Sequence, residues 1–186
     1  MILDIFKVGI YKAKLEIDNK LLEDYIRYTK KLDTIGVTKS NRGGYHSPNL
    51  DLSSDDLKLL IEQILDHSNV YAKNIGYKEA KMDNLWFNIN YYKDFNAIHS
   101  HPQTKLSGVY YVKTPDNCGN IRFYSPAHEV INHSSLATPD NHYTSSTWWL
   151  PAEQNVLYIF PSWLLHLVEP NMNSEKERIS FSFNLN

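Results

Sequence analysis

The last extended run of this chain has two different faces: Ile179, Phe181, Phe183 and Leu185 alternate with Arg178, Ser180, Ser182 and Asn184. Successive side chains of a strand point to opposite sides, so one face is greasy and the other polar. An earlier run repeats the pattern, with Leu85, Phe87, Ile89 and Tyr91 alternating with Trp86, Asn88, Asn90 and Tyr92. The polar face of an antiparallel sheet usually meets solvent. The other solution is a rolled sheet whose greasy face packs on helices and whose polar face lines an interior for a charged ligand, with Arg178 inside.

The region before residue 80 supplies the helices. From Asp18 to about Leu32 the apolar residues Leu21, Leu22, Tyr25, Ile26 and Leu32 recur at helical spacing, with Asp18 placed to cap the first turn. A turn-rich stretch, Ser40 to Pro48, follows, where paired glycines and a proline rule out regular structure. A second helix is expected from Ser53 or Ser54 through Leu57, Leu60, Ile61, Ile64 and Leu65 towards Gly76, with Ser53 and Asp56 resembling a capping box.

Beyond residue 80, short runs rich in β-branched and aromatic residues are separated by turn clusters such as Thr114-Pro115-Asp116-Asn117. Strands are expected near 83–92, 97–101, 106–113, 120–124, 143–150, 155–160, 164–168 and 177–185. The pattern predicts a mainly β fold, a sandwich or barrel of jelly-roll type with N-terminal helices packed on one face. A chain of 186 residues suits one domain, with 1–80 as a helical support region and 81–186 as the jelly-roll core.

Composition narrows the functional classes. A formal net charge of −2 without a long Lys/Arg run leaves no footprint for a nucleic-acid backbone. The first fourteen residues mix apolar side chains with Lys7, Lys12 and Lys14, which fits neither a signal peptide nor a membrane span and predicts a cytoplasmic protein. Cys118 is the single cysteine, so no intrachain disulfide can form, in keeping with a reducing compartment.

The chemistry is concentrated in histidines. His99 and His101 are two apart on an expected strand and point to the same side, so both can reach one ion. His166 follows the run Val156–Phe160 after a Pro-Ser-Trp turn, and in a jelly roll its strand can lie beside that of His99. The others, His46, His67, His128, His133 and His142, lack such a setting, with a pocket mouth the only role open to His46 and His142.

The strings His99-Ser100-His101-Pro102, Leu106-Ser107-Gly108-Val109-Tyr110-Tyr111-Val112, Phe160-Pro161-Ser162-Trp163-Leu164-Leu165-His166 and Arg178-Ile179-Ser180-Phe181-Ser182-Phe183-Asn184 closely resemble the 2-oxoglutarate-Fe(II) oxygenase family found in marine bacteria and their phages. The resemblance extends to Ser40-Asn41-Arg42-Gly43-Gly44-Tyr45-His46-Ser47. It implies a double-stranded β-helix and an enzyme that uses Fe(II), 2-oxoglutarate and O2, a dioxygenase coupling decarboxylation of the 2-oxo acid to oxidation of a substrate C–H bond. It further implies His99 as first iron ligand, His166 as distal ligand, and His101 where the wider superfamily has a carboxylate. Arg178 and Ser180, twelve and fourteen residues beyond His166, match the Arg-x-Ser pair that holds the far carboxylate of 2-oxoglutarate. Tyr111 matches a tyrosine sharing that task in prolyl hydroxylases, and Asn90 is a candidate for the near end of the cosubstrate.

Two readings of His101 stand at this point: a third neutral ligand, favoured because strand geometry brings it to the ion at no cost, or a supporting or substrate-facing group. Two other functions compete with the oxygenase: a three-His cupin enzyme without 2-oxoglutarate, against which Arg178-Ile179-Ser180 argues, and a non-catalytic binding module. The substrate class stays open between small molecules and protein side chains, as does the oligomeric state. Trp148, Trp149 and Trp163, with Tyr143, either line a substrate groove or pack a strand core, and the loop Arg42 to Tyr45 is either a rim or lid or an ordinary connection.

Overall fold

The computed structural model describes Leu3, Ile5, residues 7–129, Asn141 and residues 143–186. Strand β1 (Tyr11–Lys14) precedes helix α1 (Asn19–Leu32); two very short strands follow, β2 (Asn41–Arg42) and β3 (Tyr45–His46), then helix α2 (Lys58–Asn74). The remaining strands are β4 (Met82–Asn90), β5 (Phe95–His99), β6 (Leu106–Lys113), β7 (Asn120–Tyr124), β8 (Thr147–Pro151), β9 (Val156–Pro161), β10 (His166–Val168) and β11 (Arg178–Leu185). They form a larger sheet in the order β1-β9-β6-β11-β4-β3 and a smaller one in the order β2-β5-β10-β7-β8, all pairs antiparallel. This is the double-stranded β-helix.

The alternation in β4 and β11 decides which side of the larger sheet the helices cover. Ile179, Phe181, Phe183 and Leu185 of β11 and Leu85, Phe87 and Ile89 of β4 form one core with Leu22 and Ile26 of α1 and Leu60, Ile64 and Ala72 of α2. Phe183 is fully buried there, and truncating it to alanine would cost about 3–5 kcal/mol. Strands β6 and β9 are greasy on both faces: Tyr110, Val112, Leu157 and Ile159 join the helix-side core, while Val109, Tyr111, Val156, Tyr158 and Phe160 form a second core with Ile121, Phe123 and Leu164 between the sheets. The interior is therefore apolar beneath β6 and β9 and polar beneath β4 and β11.

Helix α1 begins as expected, with the Asp18 carboxylate accepting the Lys20 N–H at 2.9 Å. The Ser53–Asp56 capping box does not form. Ser53 donates its hydroxyl to Asp51 at 2.7 Å, Ser54 makes no side-chain cap, and a 3₁₀ turn (Asp55–Leu57) leads into α2.

The Ser40–Pro48 stretch is also more regular than its composition suggests. Asn41 and Arg42 pair with β5 in the smaller sheet, and Tyr45 and His46 pair with β4 in the larger one. Gly43 and Gly44, both at positive φ, make the corner between them. A Cβ on Gly44 would lie 2.5 Å from the Ile89 carbonyl, so only glycine allows the backbone this close. The glycines do not interrupt structure here; they tie the two sheets together, which excludes a free lid at this place.

Candidate metal centre

His99 ends β5 and His166 begins β10, directly opposite each other in register. His101 lies just beyond the strand, its backbone N–H held by the Ser162 carbonyl at 2.9 Å. Strand β5 thus ends two residues earlier than the spacing predicts, yet the three imidazoles converge: one nitrogen from each lies within 4.8 Å of the other two. His99 donates Nδ1–H to the Ala97 carbonyl at 2.8 Å, and His166 donates Nδ1–H to the Leu164 carbonyl at 2.9 Å. A carbonyl accepts only, so these bonds fix the tautomer and leave Nε2 of both rings as the lone-pair nitrogen a metal needs.

Burial keeps the cluster neutral. It pushes the His166 imidazole down to about 3, helped by His99, and that of His101 down to about 4, helped by His99 and His46. His99 is lowered by the same cause. Three neutral nitrogen donors at one point, with no competing proton, suit a divalent transition ion.

The polar faces of β4 and β11 line a cavity beside this cluster, with Trp86, Asn88, Asn90, Ser180, Ser182 and, from β6, Tyr111 on its wall. Arg178 shares the face of Ser180 and Ser182 and is fully buried. It donates Nη1–H to the carbonyls of Cys118 and, at 3.0 Å, Glu169, while its Nε and Nη2 have no partner among the described residues. The Tyr111 hydroxyl is buried and unpartnered as well. Its burial pushes the phenol up while the guanidinium opposes the shift, and burial lowers Arg178 in turn. Buried donors without partners are costly, and donors set this close together suit an anion with several oxygens.

The expected residues His99, His101, His166, Arg178, Ser180, Tyr111 and Asn90 all fall in this one region. Asn90 stands opposite Arg178 in the β4–β11 register and lines the cavity beside the His cluster. Asn88, level with Ser180, is not among the expected site residues although it shares the polar face with Asn90; its Nδ2 donates to Ser182 at 3.2 Å and, among the described residues, its buried Oδ1 has no partner.

His46 is buried at the rim and stacked on Trp86, with ring centroids 5.5 Å apart. His67 is bonded to the Tyr11 hydroxyl at 2.9 Å and His128 packs on Tyr124, away from the cluster. His133 and His142 lie outside the described residues. The tryptophans do not pack a strand core: Trp149 is 55% and Trp163 52% exposed, and Trp148, opposite Phe123, shares the face of His166.

Residues 84–184 match the family described as "Putative 2OG-Fe(II) oxygenase". No curated protein matches the chain in sequence. Among solved structures, a Pseudomonas putida prolyl-4-hydroxylase is similar at 13% identity and a TM-score of 0.65, covering 96% of this chain and 92% of that one. The viral collagen prolyl hydroxylase vCPH from Paramecium Bursaria Chlorella virus-1, solved with 2OG, shares 11% identity over 95% of this chain and 94% of its own, with a TM-score of 0.62. HygX from Streptomyces hygroscopicus, with nickel and 2-oxoglutarate bound, shares 9% identity over 96% of this chain and 83% of its own, with a TM-score of 0.66.

Proposed function

Because this chain belongs to the 2OG-Fe(II) oxygenase family, and so is an Fe(II)- and 2-oxoglutarate-dependent oxygenase, we propose that His99, His101 and His166 hold the iron and that Arg178, Tyr111 and Ser180 hold the far carboxylate of 2-oxoglutarate. The observation that carries this reading is the set of unpartnered buried donors, Arg178 Nε and Nη2 and Tyr111 OH, on the larger sheet, with Tyr111 lining the cavity that the three-His cluster lines from the smaller one. A carboxylate accepts two N–H bonds from a guanidinium and a third from a phenol in charge-assisted geometry. Bound iron and 2-oxoglutarate supply the activation of O2 and the oxidation of a substrate C–H bond, with the 2-oxo acid leaving as succinate and CO2. The protein's part is to orient and enclose: His99 and His166 present fixed nitrogens, the apolar residues beneath β6 and β9 keep water out, and the guanidinium sets the depth of the diacid.

We assign hydroxylation as the reaction, on an uncharged small molecule or a protein side chain, in the cytoplasm. Two supports are the uncharged residues that line the cavity beside the His cluster and the single cysteine, buried, which suits a reducing compartment. A cupin without 2-oxoglutarate would have no use for a buried guanidinium with two free N–H groups, and a binding module no use for three neutral imidazoles at one point. The test is succinate release with oxygen uptake by the iron-loaded protein. Arg178→Ala is expected to abolish both while still binding iron; wild-type turnover in that variant removes Arg178 from the site.

A further inference from the structure

The third histidine of the cluster is held differently from the other two. His99 and His166 are each locked by a hydrogen bond to a backbone carbonyl, whereas among the described residues neither ring nitrogen of His101 has a hydrogen-bond partner. A ligand that can spin about χ2 binds a metal poorly, which is why ligating imidazoles ordinarily give their second nitrogen to a partner. His101 instead belongs to a row of near-parallel rings. Its plane lies 6° from that of His166 at 5.2 Å and 26° from that of Trp86 at 5.9 Å, and Trp86 lies 4° from His46 at 5.5 Å.

Resting on the three-ligand reading, we propose that Trp86 and His46 are positioning residues for His101, replacing by stacking the hydrogen bond that fixes the other two ligands. Offset-stacked aromatic pairs at these separations attract one another beyond what burial contributes, which biases the ring against flipping. The far end of the row is anchored. His46 sits on β3, opposite Asn88 of β4, and its Nδ1–H donates to the Ser47 carbonyl at 2.7 Å. Ser47 in turn accepts the Phe87 N–H on its hydroxyl at 3.0 Å. The Gly43–Gly44 corner that joins the sheets is what brings His46 to this place. The Ser40–Ser47 string thereby acquires a role at the metal without supplying a ligand.

The experiment is anaerobic titration with Co(II) alone, reading affinity and the visible ligand-field spectrum, with far-UV circular dichroism as the check on folding. Trp86→Leu is expected to weaken Co(II) about 10–100-fold, the range for loss of a ligand's support, and to give the spectrum of His101→Ala. Trp86→Phe, which keeps a ring, is expected to retain the wild-type spectrum and most of the affinity. His46→Ala, which removes the outer ring, is expected to give an intermediate loss, and serves if Trp86→Leu does not fold. Wild-type affinity and spectrum in both Trp86→Leu and His46→Ala would overturn the stacking role. Wild-type Co(II) affinity in His101→Ala would instead overturn the three-ligand reading beneath it.

Discussion

His99 and His166 face each other across the β5–β10 pair with ring centroids 4.3 Å apart, and each gives its Nδ1–H to the carbonyl two residues before it on its own chain segment. Both locks are made by backbone, so no side-chain substitution elsewhere can release them. Replacing either ring with alanine should therefore remove a pre-oriented donor outright and lower Fe(II) affinity by more than about 100-fold, beyond what loss of a supporting group costs. His101→Asp, which restores the superfamily's carboxylate and lowers the charge of the loaded site, should hold iron within about tenfold of wild type. Anaerobic Fe(II) titration of the three variants checks both statements.

The Tyr111 hydroxyl separates stability from binding. It is buried without a partner in the ligand-free protein, an arrangement that costs about 1–3 kcal/mol. Tyr111→Phe should thus stabilise the ligand-free protein by about 1 kcal/mol, a rise of about 2–4 °C in Tm for a chain of this size, and weaken 2-oxoglutarate about tenfold. Thermal unfolding with and without 2-oxoglutarate measures both signs at once. A fall in Tm in the ligand-free variant would mean that the hydroxyl has a partner after all.

Much of this was legible in the sequence because the relevant signals are periodic. Period two in residues 178–185 and 85–92 marks the strand faces, although β4 stops at Asn90, and the buried Arg178 follows from taking the polar face as interior. Helix α1 announced itself through its apolar spacing and Asp18. What stayed hidden depends on partners distant in the chain. The two-residue strands β2 and β3 exist only because β5 and β4 lie beside them, and glycine composition alone reads as disruption. The Ser53 cap was lost to a nearer acceptor, Asp51. Asn88 carries no signal that separates it from Asn90 until register sets one level with Ser180 and the other with Arg178.

Acid should unfold the metal-free protein early. His99, His101 and His166 are all held neutral by burial, with His101 down to about 4 and His166 to about 3. Below their ordinary value of about 6.5 the unfolded chain takes up protons that the folded one does not, so stability rises with pH in this window. The contribution is complete above about pH 6.5 and is lost progressively as pH falls towards 3 to 4. Urea midpoints for the metal-free protein at pH 7 and pH 5 should differ by more than those of the His101→Ala/His166→Ala double variant. Equal differences would show that the imidazoles are not the groups responsible.

The seat of Arg178 gives the last prediction. Its Nη1 is shared between the carbonyls of Cys118 and Glu169, which belong to segments far apart in sequence, and Gly119 is where those segments touch. A Cβ on Gly119 would lie 2.6 Å from the Pro170 carbonyl and 2.7 Å from that of Glu169, and the residue sits at φ +80°. The neighbours are backbone and cannot swing aside, so Gly119→Ala must part the two carbonyls that aim the guanidinium. Backbone strain of this kind costs about 1–3 kcal/mol. Gly76 is the control: it also has positive φ, at +91°, but a Cβ there meets nothing within 4 Å. Gly76→Ala should lose stability and keep its 2-oxoglutarate affinity. Gly119→Ala should lose stability and bind 2-oxoglutarate about tenfold more weakly, with Co(II) affinity unchanged because His166 is locked by the Leu164 carbonyl, on the far side of β10 from Glu169, and His99 by that of Ala97. Calorimetry of 2-oxoglutarate binding to the two Co(II)-loaded variants distinguishes a displaced guanidinium from general loosening, since only the first changes one ligand's affinity and not the other's.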